Sequence, residues 1–212
     1  MAHDRWTFGR DTVEFGRAIN LIDAIFGFSL TLLVTTLEVP PAAAWVSLRA
    51  LLDTGLGDQL FAFAISFLVV VGFWLTNHQV LSSFRALDGA TVRVCIYLVG
   101  LVIFVPFTTK AISDPDPAAL PLPTALYAAN LAAITLVTVA LILVGRSRGL
   151  ADASLRGTGI ITHSLMVAAV FGVSIPIAYR FGPETAKWSW LSLIVLSPAV
   201  EFAFRRRQSR GV

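Results

Sequence analysis

The chain has 212 residues, 56% of them apolar and only 14% charged, against roughly 45–50% apolar and 25% charged in ordinary soluble domains, so most of its surface is expected to meet lipid. One cysteine, Cys95, excludes an intramolecular disulfide, and inside an apolar run it reads as a small hydrophobe. The formal net charge of +3 comes from short basic clusters flanking apolar runs, a pattern of membrane topology and not of nucleic-acid binding.

A bilayer core about 30 Å thick takes roughly 20 apolar residues in a helix. Six such windows fit, at about 18–39, 59–81, 91–112, 124–144, 158–179 and 188–204, leaving no room for a soluble domain. Residues 1–212 therefore read as one all-α membrane domain, a bundle of six transmembrane helices. The N-terminal segment is mixed in charge and no small-residue cleavage site follows the first apolar run, so no signal peptide is expected to be removed.

The first window opens at Arg17 and carries Asp23, then Ser29, Thr31, Thr35 and Thr36 among Phe, Leu and Val. An ionisable group in a membrane helix costs at least about 2.5 kcal/mol and asks for a partner or a function. Arg17 and Asp23 lie six positions apart, about 120° around the helix and about 9 Å along it, so they make no same-face pair. Trp74, Asn77 and His78 near the end of the second window stand at comparable depth, at spacings of three and four that share a face. A network of Arg17, Asp23, Trp74, Asn77 and His78 is the expectation that the cost of burying Asp23 favours, with His78 able to sense protons. A snorkelling Arg17 beside a water-facing Asp23 is the plainer alternative. Phe28, Leu32 and Thr35 form a stripe with Gly27 and Thr31 beside it, and such a stripe serves helix packing more often than a pore lining.

Pro106, Pro176 and Pro198 predict kinks in the third, fifth and sixth helices, because each removes a backbone hydrogen bond. Residues 113–123 form a proline-rich acidic crossing between the third and fourth. Asn130 and His163 are expected to hydrogen-bond across helices. Trp45, Trp188 and Trp190 lie near the ends of spans and read as interfacial anchors, and Glu201 falls near the end of the sixth. Twelve of the sixteen Lys and Arg fall on one side of the membrane, at the two termini and in the second and fourth loops. Cytoplasmic loops carry this excess, which puts both termini in the cytoplasm.

Paired carboxylates, metal-ligand spacings and nucleophile motifs are missing, which argues against an enzyme, a bound cofactor or a metal site. A proton channel or proton-coupled transporter using Asp23 and His78 stays open, as does a membrane assembly protein that conducts nothing.

The run from Arg17 to Pro40, RAINLIDAIFGFSLTLLVTTLEVP, resembles the first helix of the transmembrane protein 175 family of endolysosomal potassium channels and their bacterial relatives. The family motif is Arg, three variable residues, then Phe, Ser and Asp; Arg17 and Asp23 match, while Leu21 and Ile22 replace the Phe and Ser. FWLTNHQ from Phe73 to Gln79, PFTT from Pro106 to Thr109 and ALYAANL from Ala125 to Leu131 are similar to later family motifs in the same order. The resemblance implies a six-helix subunit of a homotetramer in the bacterial plasma membrane, passing potassium or another monovalent cation. It further implies a pore lined by helix one, without the usual glycine-rich filter, which this sequence also lacks. Counting from Asp23, the family's constriction falls at Phe28 and its selectivity threonine at Thr31, with Gly27, Leu32 and Thr35 around them.

Overall fold

The computed structural model describes residues 7–151 and 159–193. Helix α1 spans Val13–Leu33 and ends in a tighter turn at Val34–Thr36. It begins five residues before the expected start at Ala18, because the Thr12 hydroxyl caps it by accepting the Phe15 amide. The second span also begins earlier than expected. A one-turn helix α2, Leu48–Leu51, capped by Ser47, runs through a wide π-type turn at Leu52–Leu56 into α3, Gly57–Ser82. The junction needs Gly55, whose φ of +81° favours a residue without a Cβ.

The third span is broken where Pro106 predicts, into α4, Gly89–Ile103, and α5, Val105–Ser113. Pro106 has no N–H, so the Val102 carbonyl loses its regular helical donor. Ser29 of α1 donates to that carbonyl at 3.0 Å, and Asn130 donates to the adjacent Leu101 carbonyl at 3.2 Å, the cross-helix bond expected of it. The acidic crossing holds a single helical turn, α6, Pro115–Ala118. Then come α7, Pro121–Ser147, α8, Gly159–Phe181 with Pro176 inside it, and α9, Pro183–Trp190. Most of the expected sixth span at 188–204 lies outside the described residues, as do Pro198 and Glu201.

Among the described residues five helical runs are long and apolar enough to cross a membrane: Val13–Thr36, Leu48–Ser82, Gly89–Ser113, Pro121–Ser147 and Gly159–Phe181. The chain is a multi-pass membrane protein, and among the described residues its regular structure is helical apart from a small clasp. In that clasp β1, Phe8–Gly9, pairs antiparallel with β2, Ala86–Leu87, and Phe84 bridges to Ala151, which the all-helical expectation lacks. These bonds gather the N-terminal segment and the second and fourth connections at one end of the bundle. At that end Arg10 donates to the Ser82 carbonyl and Arg148 pairs with Asp88, the N-cap of α4. At the other end Lys110 pairs with Glu38 and Lys187 with Glu184. The two loop sets separated by the arginine count thus occupy opposite ends.

Helix α7 is the hub, packed against α4, α5 and α8. Tyr127 on α7 is fully buried, and its hydroxyl shares a hydrogen bond with Ser66 of α3, which accepts from Thr109 of α5, each at 2.9 Å. Trp190 is no interfacial anchor. It is 4% exposed, stacked on Tyr127 and Phe171, because α9 folds back onto the bundle where the sequence suggested a headgroup position.

Candidate functional site

Two features of α1 bear on function: the face it turns away from the subunit, and a carboxylate held between helices. Ile22, Phe26, Ser29 and Leu33 are buried, and Thr36 continues the row in the next turn. Their steps of three and four mark one helix stripe. The opposite stripe, carrying Asn20, Ala24, Gly27, Phe28, Thr31, Leu32 and Thr35, is exposed. Phe28 is 69% exposed and Leu32 47%. All five residues of the expected pore group, Gly27, Phe28, Thr31, Leu32 and Thr35, therefore lie on the surface that the subunit itself leaves uncovered.

The hydroxyls on this face have a fixed chemistry. Thr31 donates to the Phe28 carbonyl at 2.8 Å and Thr35 to the Leu32 carbonyl at 2.7 Å. A hydroxyl whose proton is committed to its own helix offers only lone pairs to anything else, so these two positions present acceptors. Gly27 carries further information. A glycine inside a helix costs about 1 kcal/mol relative to alanine, and a Cβ built on Gly27 meets nothing within 4 Å. Packing within the subunit gives no reason for the missing side chain.

Of the expected polar network the structure brings three members together. The Trp74 indole donates to Asp23 Oδ1 at 3.0 Å, and His78 Nδ1 stands 4.0 Å from Asp23 Oδ2. The Trp74 and His78 rings lie 5.7 Å apart on α3. Asn77 does not join them. It is 1% exposed on the buried stripe of α3 with Ser66, Val70 and Val80, and neither amide atom has a partner. Trp74 and His78 are only about 40° apart around α3, whereas Asn77 is about 100° from His78, so α1 meets the first two and the core receives the third. Arg17 lies on the exposed side of α1 and makes no hydrogen bond or ion pair with another described residue. His163 lines a cavity of about 260 Å³ between α3, α7 and α8, with Thr76, Thr135 and Thr138 in its wall.

Sequence reasoning missed the Tyr127, Ser66 and Thr109 hydroxyl chain and the Asp88 to Arg148 pair. Each joins segments dozens of residues apart, and a single apolar helix gives no sign of which of its hydroxyls will meet.

The stretch from Arg17 through the kink at Pro106, with the Asp23 and Trp74 contact inside it, matches the model of the family described as "Endosomal/lysosomal potassium channel TMEM175" over residues 17–106. That match spans 90 of the 212 residues and makes this stretch similar to the TMEM175 family. A potassium channel of Streptomyces collinus is 29% identical over 105 residues, which are 48% of this chain and 48% of that one. The chain thus aligns with about half the length of this curated relative. The crystal structure described as a lysosomal potassium-selective channel TMEM175 homolog from Chamaesiphon minutus superposes with a TM-score of 0.72 at 22% identity, covering 91% of this chain and 99% of that one. The two chains share the fold, and the family and its structural neighbour are channels, not enzymes. In this chain the matched segment contains both the uncovered face of α1 and the Asp23 contact.

Proposed function

We propose that the chain is one subunit of a cation channel in which α1 helices from four copies surround a shared axis, passing potassium in preference to, or alongside, other monovalent cations. The observation that carries this reading is the face of α1 itself: a continuous stripe left uncovered by its own subunit, with Phe28 as an apolar ring and the lone pairs of Thr31 and Thr35 as cation ligands. An apolar constriction resists water and ions by dewetting, and hydroxyl oxygens replace part of an ion's hydration shell. Four Phe28 rings form the narrowest layer, and Thr31, three residues on, lies about one helical turn away. Asp23, tethered to Trp74 and His78, fixes the rotation of α1 and so keeps these side chains on the axis. The arginine-rich clasp end faces the cytoplasm of a bacterial cell, with the protein in the plasma membrane.

A proton path is the second reading, favoured by the 4.0 Å approach of His78 to Asp23 and by a His78 side chain that is 56% exposed. Reconstitution into liposomes with separate potassium, sodium and proton flux assays distinguishes the two. Phe28→Ala is expected to raise cation leak, and Thr31→Val to change the potassium to sodium ratio, each by about tenfold or more. Unchanged flux in both removes α1 from the pore. Proton flux that vanishes in Asp23→Asn while the tetramer persists selects the proton path instead.

A further inference from the structure

A cavity of about 780 Å³ opens at the arginine-poor end of the bundle, between the start of α3, the crossing after α5, and α9. That volume lies within the range of small-molecule sites. Its polar and apolar groups are segregated. Asp58, Ser113, Glu184 and Lys187 lie toward the end of the bundle, whereas Phe61, Ala62 and Ile65 carry the lining along α3 into the membrane-spanning part. From Asp58 to Ile65 the helix advances about 10 Å, roughly the depth of a headgroup and the start of an acyl chain.

The charges in the cavity are not all matched. Lys187 donates to Glu184 Oε1 at 2.8 Å and to the Ile112 carbonyl at 3.2 Å. A lysine ammonium has three donors, so one N–H is left for another acceptor. Asp58 makes no hydrogen bond or ion pair with another described residue. Beside it Trp188 is exposed and packs on Phe61 with ring centroids 6.3 Å apart, an aromatic surface of the kind that attracts organic cations. Trp190 lines the same cavity, buried, with an indole N–H that meets no acceptor.

From this arrangement we infer that the cavity holds the headgroup of a zwitterionic phospholipid from the leaflet bordering this end. Its amine lies between Asp58 and Trp188, and its phosphate takes the spare Lys187 proton. The upper acyl chain follows Phe61 and Ile65. An anionic phospholipid leaves Asp58 unmatched and adds repulsion from Glu184, so the site discriminates by the amine.

The test uses the full chain purified in mild detergent, stripped stepwise of lipid, offered phosphatidylethanolamine, phosphatidylcholine or phosphatidylglycerol, and weighed by native mass spectrometry. Wild type is expected to retain one zwitterionic lipid per chain and at least about tenfold less phosphatidylglycerol, since loss of one charge-assisted contact is worth about a factor of ten. Asp58→Asn removes the amine's partner, and Ala119→Trp fills the cavity from Ala119, an exposed residue of its lining; each is expected to cut retention about tenfold without moving the unfolding temperature. Equal retention of phosphatidylglycerol by wild type overturns the assignment. So does wild-type retention of phosphatidylethanolamine in either variant.

Discussion

Asp88 shows how a single side chain sets the register of the clasp end. Its carboxylate caps α4 by accepting the amides of Ala90 and Thr91 and the Thr91 hydroxyl, and it pairs with Arg148 from the end of α7. Burial alone pushes the Asp88 carboxyl up, but the Thr91 bonds and the Arg148 guanidinium outweigh it and hold the group below the usual carboxylate range. A depressed folded-state value stabilises the fold above the ordinary carboxylate pKa of about 3.9 and loses that contribution as pH falls through the folded value. Asp88→Ala is therefore expected to destabilise the protein by about 1–2 kcal/mol near neutral pH. Asp88→Asn, which still caps, should cost less and should flatten the acid limb of the stability profile. Thermal unfolding in detergent between pH 3 and pH 7 reads both, and an acid limb unchanged in Asp88→Asn removes the carboxylate from it. The sequence does not flag Asp88, because it sits in a connection and its partner lies sixty residues away. The same blindness placed Asn77 with Trp74 and His78. Spacing defines a neighbourhood on α3, but only packing decides which flank turns to α1 and which to the core.

The approximate places of the first five spans were legible from hydropathy, since a lone apolar run in lipid satisfies its backbone as a helix, and Pro106 marked its kink. The earlier start of the second span was not, because Asp53, Thr54 and Gly55 interrupt the apolar run while Ser47 and the Gly55 backbone carry the helix through it. The β1 and β2 pairing was hidden for a different reason: two-residue strands are held by backbone bonds that leave no side-chain period. Contacts between elements were likewise invisible, and Gly145 of α7 is the sharpest instance. A Cβ there would stand 2.3 Å from Cζ of Phe84, a fully buried ring in the connection after α3. That ring, bridged to Ala151 by its backbone, locks the connection against α7. Gly145→Ala is expected to destabilise by about 1–3 kcal/mol through overpacking. Phe84→Leu, which costs on its own by leaving a void, should recover part of the loss when combined with it. A double-mutant cycle of unfolding free energies tests this, and strictly additive effects would show that the ring and the glycine do not meet in solution.

At the scale of the whole molecule the helices divide into a core and a rim. In α7, 56% of the most apolar stretch is buried within the subunit, whereas in the first span it is 22%. A subunit that functions alone gains nothing from turning the polar-spotted face of α1 outward, with two threonine acceptors and an unfilled glycine directed away from the core. In an assembly the same placement puts the rim of each subunit at the centre of the whole. The consequence is that substitutions on the outer stripe of α1 should act on association, and those in α7 on subunit folding. Gly27→Leu separates the two cleanly, since a side chain at Gly27 meets nothing within its own subunit. Around a fourfold axis, however, four added isobutyl groups crowd one layer at once. The expected outcome is a tetramer in the wild type by light scattering or native mass spectrometry, and a tetramer to monomer ratio lowered at least about tenfold in Gly27→Leu. The subunit's own unfolding temperature should not fall, since replacing a helical glycine removes its propensity cost. A wild-type particle that is monomeric, or a Gly27→Leu tetramer as tight as the wild type, would place the outer stripe of α1 against lipid and withdraw the shared axis with it.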